Sequence, residues 1–295
     1  MLKFRSIEKS DIKLLNDAYK SPDALGCECN AVSAYLWSRE YDLRIAVFDG
    51  TVIKAYYRDD GSVWGYCLPH GKNVKGAVEE IIRSAEQNGE EAAFDYMSAD
   101  EKDKLEKLFP NRFTFINQYD TRDYIYLTEN LASLSGKRFH AKRNHISKFF
   151  RTYPNAEIKE IDSSNFDDAL NVVRGWFAEK KTDYKSQSEY GVIKEALENF
   201  DEFSMRGTVL YAEDKPAAMT LGREISPICF DVMFEKALTE FEGSYSVINN
   251  EFAKLLTNYK YLNREEDLGL EGLRKAKLSY HPEIIYERYR AVPKK

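Results

Sequence analysis

The chain has 295 residues, of which 43% are hydrophobic and 31% charged, and its formal net charge is −6. This length favours two domains over one, and this composition is typical of a globular protein with apolar cores. The negative charge excludes a surface that attracts nucleic acid or anionic lipid as a whole, so any polyanion site must be a local patch.

The first half of the sequence predicts a complete set of strands and helices. Ser10 and Ser98 each precede a helical pattern and are typical N-caps, and Asp49-Gly50 is typical of a tight β-hairpin turn. In chain order we predict a strand at FRSI, helices at DIKLLNDAYK and AVSAYLWSRE, strands at LRIAVFDG, TVIKAYYRDDG and SVWGYCLP, a helix at KGAVEEIIRSAEQNG, a strand at AAFDYMS, a helix at ADEKDKLEKLF, and strands at RFTFINQYD and DYIYLTENL.

The second half predicts the same order again. A hairpin is expected over Asp214-Lys215, and the chain ends in one final strand. In chain order we predict a strand at AEIKEI, helices at SSNFDDALNVVRGWFAEKK and SEYGVIKEALENF, strands at RGTVLYAED, PAAMTLGREI and PICFDVMFEKA, a helix at SYSVINNEFAKLLTNY, a strand at YLNRE, a helix at GLRKAKLSY, and a strand at IIYERYRAV.

The second half therefore reads β-α-α-β-β-β-α-β-α-β, and the first half has the same order with one more strand at its end. We predict an α+β protein of two tandem domains, residues 1–135 and 136–295, each a mixed, mostly antiparallel sheet with flanking helices, and a basic connecting helix at 137–151. An antiparallel meander followed by a helix and a further strand is the element order of the GNAT acyltransferase fold. The second domain is expected to carry the active cleft.

Neither half shows the phosphate-binding turn of CoA-dependent GNAT enzymes. That turn is Gly-rich, and its N–H groups hold the pyrophosphate at a helix N-terminus. Here Gly71 and Gly76 are too far apart for the pattern, and Gly243 stands alone beside Glu240 and Glu242, whose charges repel a pyrophosphate. We therefore expect no CoA cofactor, which leaves other activated acyl donors open.

A basic segment, KRFHAKRNHISKFFR, spans residues 137–151. It contains six Lys/Arg, two His and no acid, and its apolar residues fall on one helical face. The segment is either a linker helix with solvated basic flanks or a helix that contacts phosphate. Arg143 is the sharpest substrate-binding candidate, because its place at the edge of the apolar face calls for an anionic partner; His140 lies beside it.

The segment NREEDLGLEGLRKAKLSYHP, residues 263–282, combines acids, glycines and a basic helix. Arg274 and Lys277 share a helical face, and Tyr280 lies on a neighbouring one. Arginine can bind a phosphate or carboxylate through two parallel hydrogen bonds. We interpret Asp267, Arg274 and Lys277 as an acid–base wall for a zwitterionic or phosphate-bearing ligand, with Tyr280 as a further binding candidate.

Three segments resemble a known family. FHAKRNHISKF, FEKALTEFEGSYSVINNEFAKLL and NREEDLGLEGLRKAKLSYHP are similar to the C-terminal catalytic domain of phosphatidylglycerol lysyltransferases and to its soluble bacterial relatives. The resemblance covers nearly the whole chain and implies a tandem-GNAT fold, as in the Fem-type aminoacyltransferases. The membrane-bound members move an aminoacyl group from tRNA to a lipid hydroxyl. Such a transfer needs no CoA turn but needs basic surface for tRNA.

Acyl transfer needs a proton acceptor and donors for the developing oxyanion. Asp231 and Glu235 alternate with apolar residues, so they face one side of their strand as candidate bases, or form a solvent-facing pair. Lys236 faces the other side and is a candidate for holding a carboxylate or phosphate. Asp267 either binds the α-amino group of the donor or only pairs with Arg274.

Asn250 and Glu251, on the next helix, either line the cleft or face water. The histidines lack H-x-x-x-H and H-E-x-x-H spacing, and the cysteines form no C-x-x-C pair, so no metal is expected. The N-terminal residues lack a signal-peptide pattern, and no segment nears the roughly 20 apolar residues of a membrane span, so we expect a cytoplasmic protein.

Three functions remain open. The chain is an acyltransferase that moves an aminoacyl group, with aminoacyl-tRNA as a candidate donor and an amine or hydroxyl as acceptor. Alternatively, it is a CoA-dependent N-acetyltransferase with a divergent phosphate loop. The third alternative is a non-catalytic tandem-GNAT protein that binds a ligand.

Overall fold

The computed structural model describes residues 2–180 and 184–294. The predicted order of elements is confirmed in the first half, with a short additional strand and helix. Its elements are β1 (Arg5–Ser6), α1 (Ile12–Tyr19), α2 (Ala31–Leu36), β2 (Leu43–Phe48), β3 (Thr51–Tyr57), β4 (Val63–Tyr66), β5 (His70–Gly71), α3 (Val74–Asn88), β6 (Phe94–Met97), α4 (Ala99–Leu108), β7 (Phe113–Asn117), β8 (Asp123–Leu127) and α5 (Thr128–Ser133).

The second half also follows the prediction until its last strand. Lys181, the last residue predicted for the helix after β9, lies outside the described residues. The elements are α6 (His140–Thr152), β9 (Glu157–Glu160), α7 (Phe166–Lys180), α8 (Tyr184–Glu198), β10 (Arg206–Ala212), β11 (Lys215–Ser226), β12 (Cys229–Ala237), α9 (Ser244–Leu255), β13 (Tyr261–Asn263), α10 (Glu271–Leu278), β14 (Ile284–Tyr286) and β15 (Tyr289–Pro293).

Local signals in the sequence set several of these boundaries. The Ser98 hydroxyl accepts a hydrogen bond from the Glu101 N–H at 3.2 Å, and the Glu101 carboxylate accepts from the Ser98 N–H at 2.9 Å. This reciprocal capping box begins α4. Asp49 and Gly50 both have positive φ, 47° and 68°, as the tight turn between β2 and β3 requires.

The first sheet has the strand order β1-β2-β3-β4-β6-β15-β7, with β5 paired to β3. The β4–β6 pair is parallel, and the other pairs in this sheet are antiparallel. The core on this sheet is formed by side chains from α3 and from the strands. Val78, Ile81, Phe94 and Met97 are fully buried in it.

The second sheet has the strand order β14-β8-β13-β12-β11-β10-β9. The β12–β13 pair is parallel, whereas the pairs from β9 to β12 and between β13 and β8 are antiparallel. The apolar face of the basic helix α6 packs here, with Phe149 fully buried among Leu210, Val247 and Ile248. The predicted apolar stripe of this helix is therefore part of a core.

Contacts divide the chain into two compact units. Unit 1 is Met1–Asp123, Glu266–Lys275 and Ile285–Lys295, and unit 2 is Tyr124–Glu265 and Ala276–Ile284. The predicted boundary between residues 135 and 136 falls inside unit 2, because β8 pairs with β13. The single final strand that we predicted is two strands, since β14 belongs to the second sheet and β15 to the first.

Within the described ranges, no helix combines the length and the apolar character that crossing a membrane requires.

Candidate functional site

The candidate site lies in unit 2, where the parallel strands β12 and β13 separate. Their pairing covers three positions, from Cys229–Tyr261 to Asp231–Asn263. Beyond that point β12 continues to Ala237, whereas β13 ends. Where the pairing ends, side chains of β12 and of the residues after β13 can meet across the gap between the two strands.

An ion pair bridges the two separating strands. Arg264, directly after β13, donates from Nη2 to Glu235 Oε1 of β12 at 2.7 Å, and both side chains are only 13% exposed. The second carboxylate oxygen of Glu235 accepts from Asn249 Nδ2 of α9 at 3.3 Å. Each carboxylate oxygen of Glu235 therefore accepts a hydrogen bond from a side chain.

Two tyrosine rings enclose the Arg264 guanidinium. Its Cζ lies 5.0 Å from the ring centroid of Tyr280 and 5.6 Å from that of Tyr126. Burial disfavours the charge, but Glu235 and the tyrosines outweigh this effect and hold the pKa of Arg264 above its ordinary value. Arg264 Nη1 is buried and has no hydrogen-bond partner among the described residues.

Lys142 of α6 faces the same aromatic ring. Its Nζ lies 3.7 Å from the ring centroid of Tyr280. Burial, and then the charge of Arg264, lower the pKa of Lys142 to about 8, with Glu235 acting in the opposite direction. Burial also raises the pKa of Tyr280, so the ring stays neutral at physiological pH.

Lys277 and Tyr126 fix the chain that carries Arg264. Lys277 Nζ donates to the main-chain carbonyls of Arg264 and Glu265, the latter at 3.1 Å. Tyr126 donates from its hydroxyl to the Lys277 carbonyl at 2.8 Å. Lys277, which we predicted to bind a ligand, thus binds main-chain carbonyls beside the site instead. Tyr280 lies at the site itself, next to Arg264.

Other predicted residues of unit 2 are engaged by protein groups. Lys236 lies on the opposite side of β12, 2.9 Å from Glu189, and Glu251 pairs with Lys254 at 2.7 Å. Asp231 is fully buried and pairs with Arg223 of β11 in the strand register. Burial lowers the pKa of Arg223, and the charge of Asp231 acts against this effect.

The remaining predicted residues of α6 and α9 contact α5, the residues that follow it, or their own helix. Arg143 donates to the carbonyls of Leu134 and, at 2.7 Å, Gly136. Asn250 donates from Nδ2 to two carbonyls of α5, Leu131 at 2.7 Å and Ala132 at 2.8 Å. The partner that we expected for Arg143 was an anion, and the structure provides main-chain carbonyls instead. His140 is exposed and contacts Asn144 on its own helix at 3.3 Å.

Unit 1 holds the other predicted acid–base pair. Arg274 binds Asp267 in a bidentate manner, at 2.7 and 2.9 Å, and also contacts Asp120 at 2.8 Å. Asp267 is fully buried. The predicted wall is therefore divided, since Asp267 and Arg274 belong to unit 1 and Lys277 to unit 2.

One group of side chains in unit 1 has the composition of a metal site. Single ligand atoms of Cys27, Asp123 and Glu266 lie within 4.8 Å of one another. However, the guanidinium of Arg288 lies 2.8 Å from Asp123 and 3.7 Å from Cys27 Sγ. A buried cation in that position already compensates the acids, so the group does not fit a further cation.

Sequence reasoning identified Glu235 and Tyr280 but missed the residues that join them. Arg264 is the second residue of the NREED motif, and Lys142 is one of six basic residues on its segment. The usable signal was a charged residue at the end of the strand that follows β12.

The two mixed sheets with flanking helices define a tandem GNAT-like α+β protein. Solved structures with this fold include FemX, with a TM-score of 0.54 at 9% identity over 97% of this chain and 96% of that one. A GNAT-family acetyltransferase from Colwellia psychrerythraea gives 0.53 at 12% identity, over 99% and 100%. The family model described as phosphatidylglycerol lysyltransferase, C-terminal, matches residues 24–292, and the chain belongs to this family.

The chain is also similar to two further solved structures and to one further sequence. A conserved protein of unknown function from Bacteroides thetaiotaomicron is 33% identical over all of both chains, with a TM-score of 0.91. The structure of L-PGS from Bacillus licheniformis gives 0.68 at 14% identity, over 99% of this chain and 93% of that one. A Mycoplasmoides gallisepticum protein is 25% identical over 57% of this chain, which corresponds to 54% of that protein's length.

Proposed function

We propose that the chain is an acyltransferase that moves an aminoacyl group to an amine or hydroxyl acceptor, with aminoacyl-tRNA as the donor. Its membership of the phosphatidylglycerol lysyltransferase C-terminal family supports transfer of an aminoacyl group. The site in unit 2 supports the same chemistry, because it presents little-exposed acceptors for an amino group.

The observation that carries the proposal is the pairing of Glu235 with Asn249. Glu235 is ionised and little exposed, and Asn249 Oδ1 is buried without a hydrogen-bond partner among the described residues. A buried acceptor without a donor is costly, so it fits a donor that the ligand brings. The α-amino group of an aminoacyl ester supplies such N–H groups.

For the remaining carboxylates, we propose Asp231, which pairs with Arg223 across the β11–β12 register, as the second candidate for the proton-accepting group. Asp267 is engaged by Arg274 in unit 1, and we propose that this pair supports the structure there.

We also propose that CoA is not the donor. At the start of α9, Gly243 has φ 98°, and a Cβ built on it would lie 3.2 Å from the His145 carbonyl oxygen. Glu242, next to it, pairs with Lys148 at 2.7 Å. This helix N-terminus is thus packed against α6 and flanked by a carboxylate, which disfavours a pyrophosphate.

The equivalent turn in unit 1 is closed by its own side chain. Asn73 Oδ1 accepts a hydrogen bond from the Gly76 N–H at 3.0 Å and caps α3. A pyrophosphate there would have to displace this cap, so both turns support a donor other than CoA.

The test uses tRNA charged with one radiolabelled amino acid at a time, with hydroxylamine as a small acceptor and phosphatidylglycerol vesicles as a second one. We expect at least one aminoacyl-tRNA to lose its label to an acceptor faster than in a blank without the protein, because hydroxylamine also cleaves aminoacyl esters uncatalysed. Glu235→Gln should lower kcat/KM by about 10- to 100-fold, because a charged hydrogen bond to the amino group is lost. Lys148→Met, a change at an exposed pair on α6, is the matched control and should leave the rate unchanged.

Two outcomes would overturn the proposal. The first is that no charged tRNA reacts with either acceptor, in which case a ligand-binding role without catalysis becomes the better account. The second is tight binding of acetyl-CoA in a calorimetric titration, which would favour the CoA-dependent alternative. Circular dichroism of Glu235→Gln checks that a loss of rate does not come from unfolding.

A further inference from the structure

Lys142 is a half-buried cation that lacks a hydrogen-bond acceptor among the residues that the structure describes. Its contact in the described chain is with the face of Tyr280, at 3.7 Å. The other cations of α6 differ in this respect, since Lys148 pairs with Glu242 at 2.7 Å and Arg143 donates to carbonyls. A ring face attracts the charge, but it leaves the N–H donors of an ammonium group unused.

The guanidinium of Arg264 faces the same ring and also has unused donors. Its Nη2 serves Glu235, and its buried Nη1 has no hydrogen-bond partner within residues 2–180 and 184–294. Below pH 8 the three charges of Lys142, Arg264 and Glu235 add up to one surplus positive charge. A surplus charge in an enclosed site is costly unless an opposite charge joins it.

We propose that Lys142 and Arg264 form a binding subsite for one singly charged oxyanion of the ligand. Phosphodiesters and carboxylates are the common biological groups of this kind, and both offer two oxygens to two donors. An aminoacyl ester has no free carboxylate, so in an aminoacyl-tRNA the oxyanion is the phosphodiester of the terminal nucleotides. That assignment of the ligand rests on the proposed function, whereas binding of the oxyanion does not.

The subsite is sensitive to pH. Lys142 lies over the ring of the titratable Tyr280, and the charges of Arg264 and Glu235 act on it. Because its pKa is about 8, Lys142 is mostly cationic at pH 7 and mostly neutral at pH 9. If only the cationic form binds, oxyanion affinity falls about tenfold between these two values. A general base at this position would show the opposite trend, with the rate rising through pH 8.

The direct experiment is an NMR titration of the full chain with ¹³C-labelled lysine side chains. The probes are dimethyl phosphate and acetate, each at constant ionic strength with chloride as reference. We expect one lysine signal with a midpoint near pH 8, absent from Lys142→Arg and retained in Lys148→Met. Saturating dimethyl phosphate should move this midpoint upward, because a bound anion favours the charged form.

Binding of the same probes completes the test. At pH 7, Lys142→Met should weaken dimethyl phosphate binding at least about tenfold and remove its pH dependence. Lys142→Arg should restore binding and keep it constant from pH 7 to 9, since arginine stays charged. The subsite is refuted if no lysine titrates below about pH 9.5, if neither probe moves the midpoint, or if Lys148→Met weakens binding equally.

The two proposals fail in different ways. A midpoint that moves with dimethyl phosphate, in a protein that deacylates no charged tRNA, supports the subsite and removes the proposed function. Transfer from aminoacyl-tRNA with an unchanged KM in Lys142→Met supports the function and removes the subsite. A midpoint that moves with acetate alone supports an oxyanion subsite but overturns its assignment to a phosphodiester.

Discussion

Removing Arg264 should destabilise unit 2 far more than removing both Arg264 and Glu235. In Arg264→Met the ionised Glu235, 13% exposed, keeps only the Asn249 amide as a donor. At an effective dielectric constant of about 20, two unit charges 2.7 Å apart attract each other by roughly 6 kcal/mol. Most of this attraction offsets the desolvation of the two groups, so the pair itself contributes little net stability.

The cost of the single change comes from the charge that is left behind. Removing one partner of a buried pair typically costs about 3–5 kcal/mol. Replacing both partners with methionine should bring the free energy of unfolding back to within about 1 kcal/mol of the parent protein. The matched control is Lys148→Met, which breaks an exposed pair, 55% and 68% accessible, and should cost less than about 1 kcal/mol.

Urea unfolding followed by tryptophan fluorescence measures these differences. In a Trp37→Phe, Trp64→Phe background, Trp176 of unit 2 is the one remaining tryptophan. Its indole N–H donates to the Tyr245 hydroxyl at 2.7 Å, so its emission should report the folding of this unit. The double-mutant cycle then isolates the coupling between Arg264 and Glu235.

Two results would refute this reasoning. One is a cost below about 1 kcal/mol for Arg264→Met, which would mean that water screens the pair. The other is a double variant as unstable as Arg264→Met, which would mean that the packing of the arginine, and not the unpaired carboxylate, sets the cost.

Three further predictions use the same urea assay. Lys142→Met should stabilise the protein by about 1–2 kcal/mol at pH 7, a value discounted for partial exposure, because burial lowers the pKa of the lysine. The gain should vanish as the pH rises from about 8 to 10.5, where the lysine loses its charge in both the folded and the unfolded protein. A gain that does not depend on pH would contradict this explanation. Lys277→Met should cost about 1–3 kcal/mol, since main-chain carbonyls after β13 lose their donor, and an unchanged midpoint would exclude that role. Gly243→Ala should cost about 1–3 kcal/mol, because φ is 98° and the new Cβ would meet the His145 carbonyl. The control is Gly191→Ala in α8, where a Cβ meets no atom within 4 Å; this change should gain about 0.5–1 kcal/mol. Equal effects of the two changes would refute the packing argument.

Elements whose signals are local could be predicted from the sequence. The Ser98 cap and the Asp49-Gly50 turn act within a few residues, and the structure confirms both. The final strand could not be divided from sequence, since IIYERYRAV is a continuous run of strand-forming residues. Its division depends on pairing with two different sheets, which is a property of distant partners.

The same limit applies to the site. Glu235 and Arg264 are 29 residues apart, and Lys142 lies far from both, so no spacing in the sequence joins them. Arg143 and Asn250 bind carbonyls in and after α5, a helix that begins within the segment DYIYLTENL, which we predicted to be a strand. Without that helix, the carbonyls at its end could not be counted as acceptors for these two side chains.

The position of β15 has a consequence for synthesis on the ribosome. This strand lies between β6 and β7 of the first sheet, yet it follows all of unit 2 in the chain. The first 123 residues of unit 1 are therefore translated before unit 2. Their strands β6 and β7 both pair with β15, which is translated only after unit 2. The nascent chain must hold two unpaired strand edges for that interval, which makes this stage the one most exposed to aggregation and to chaperone binding.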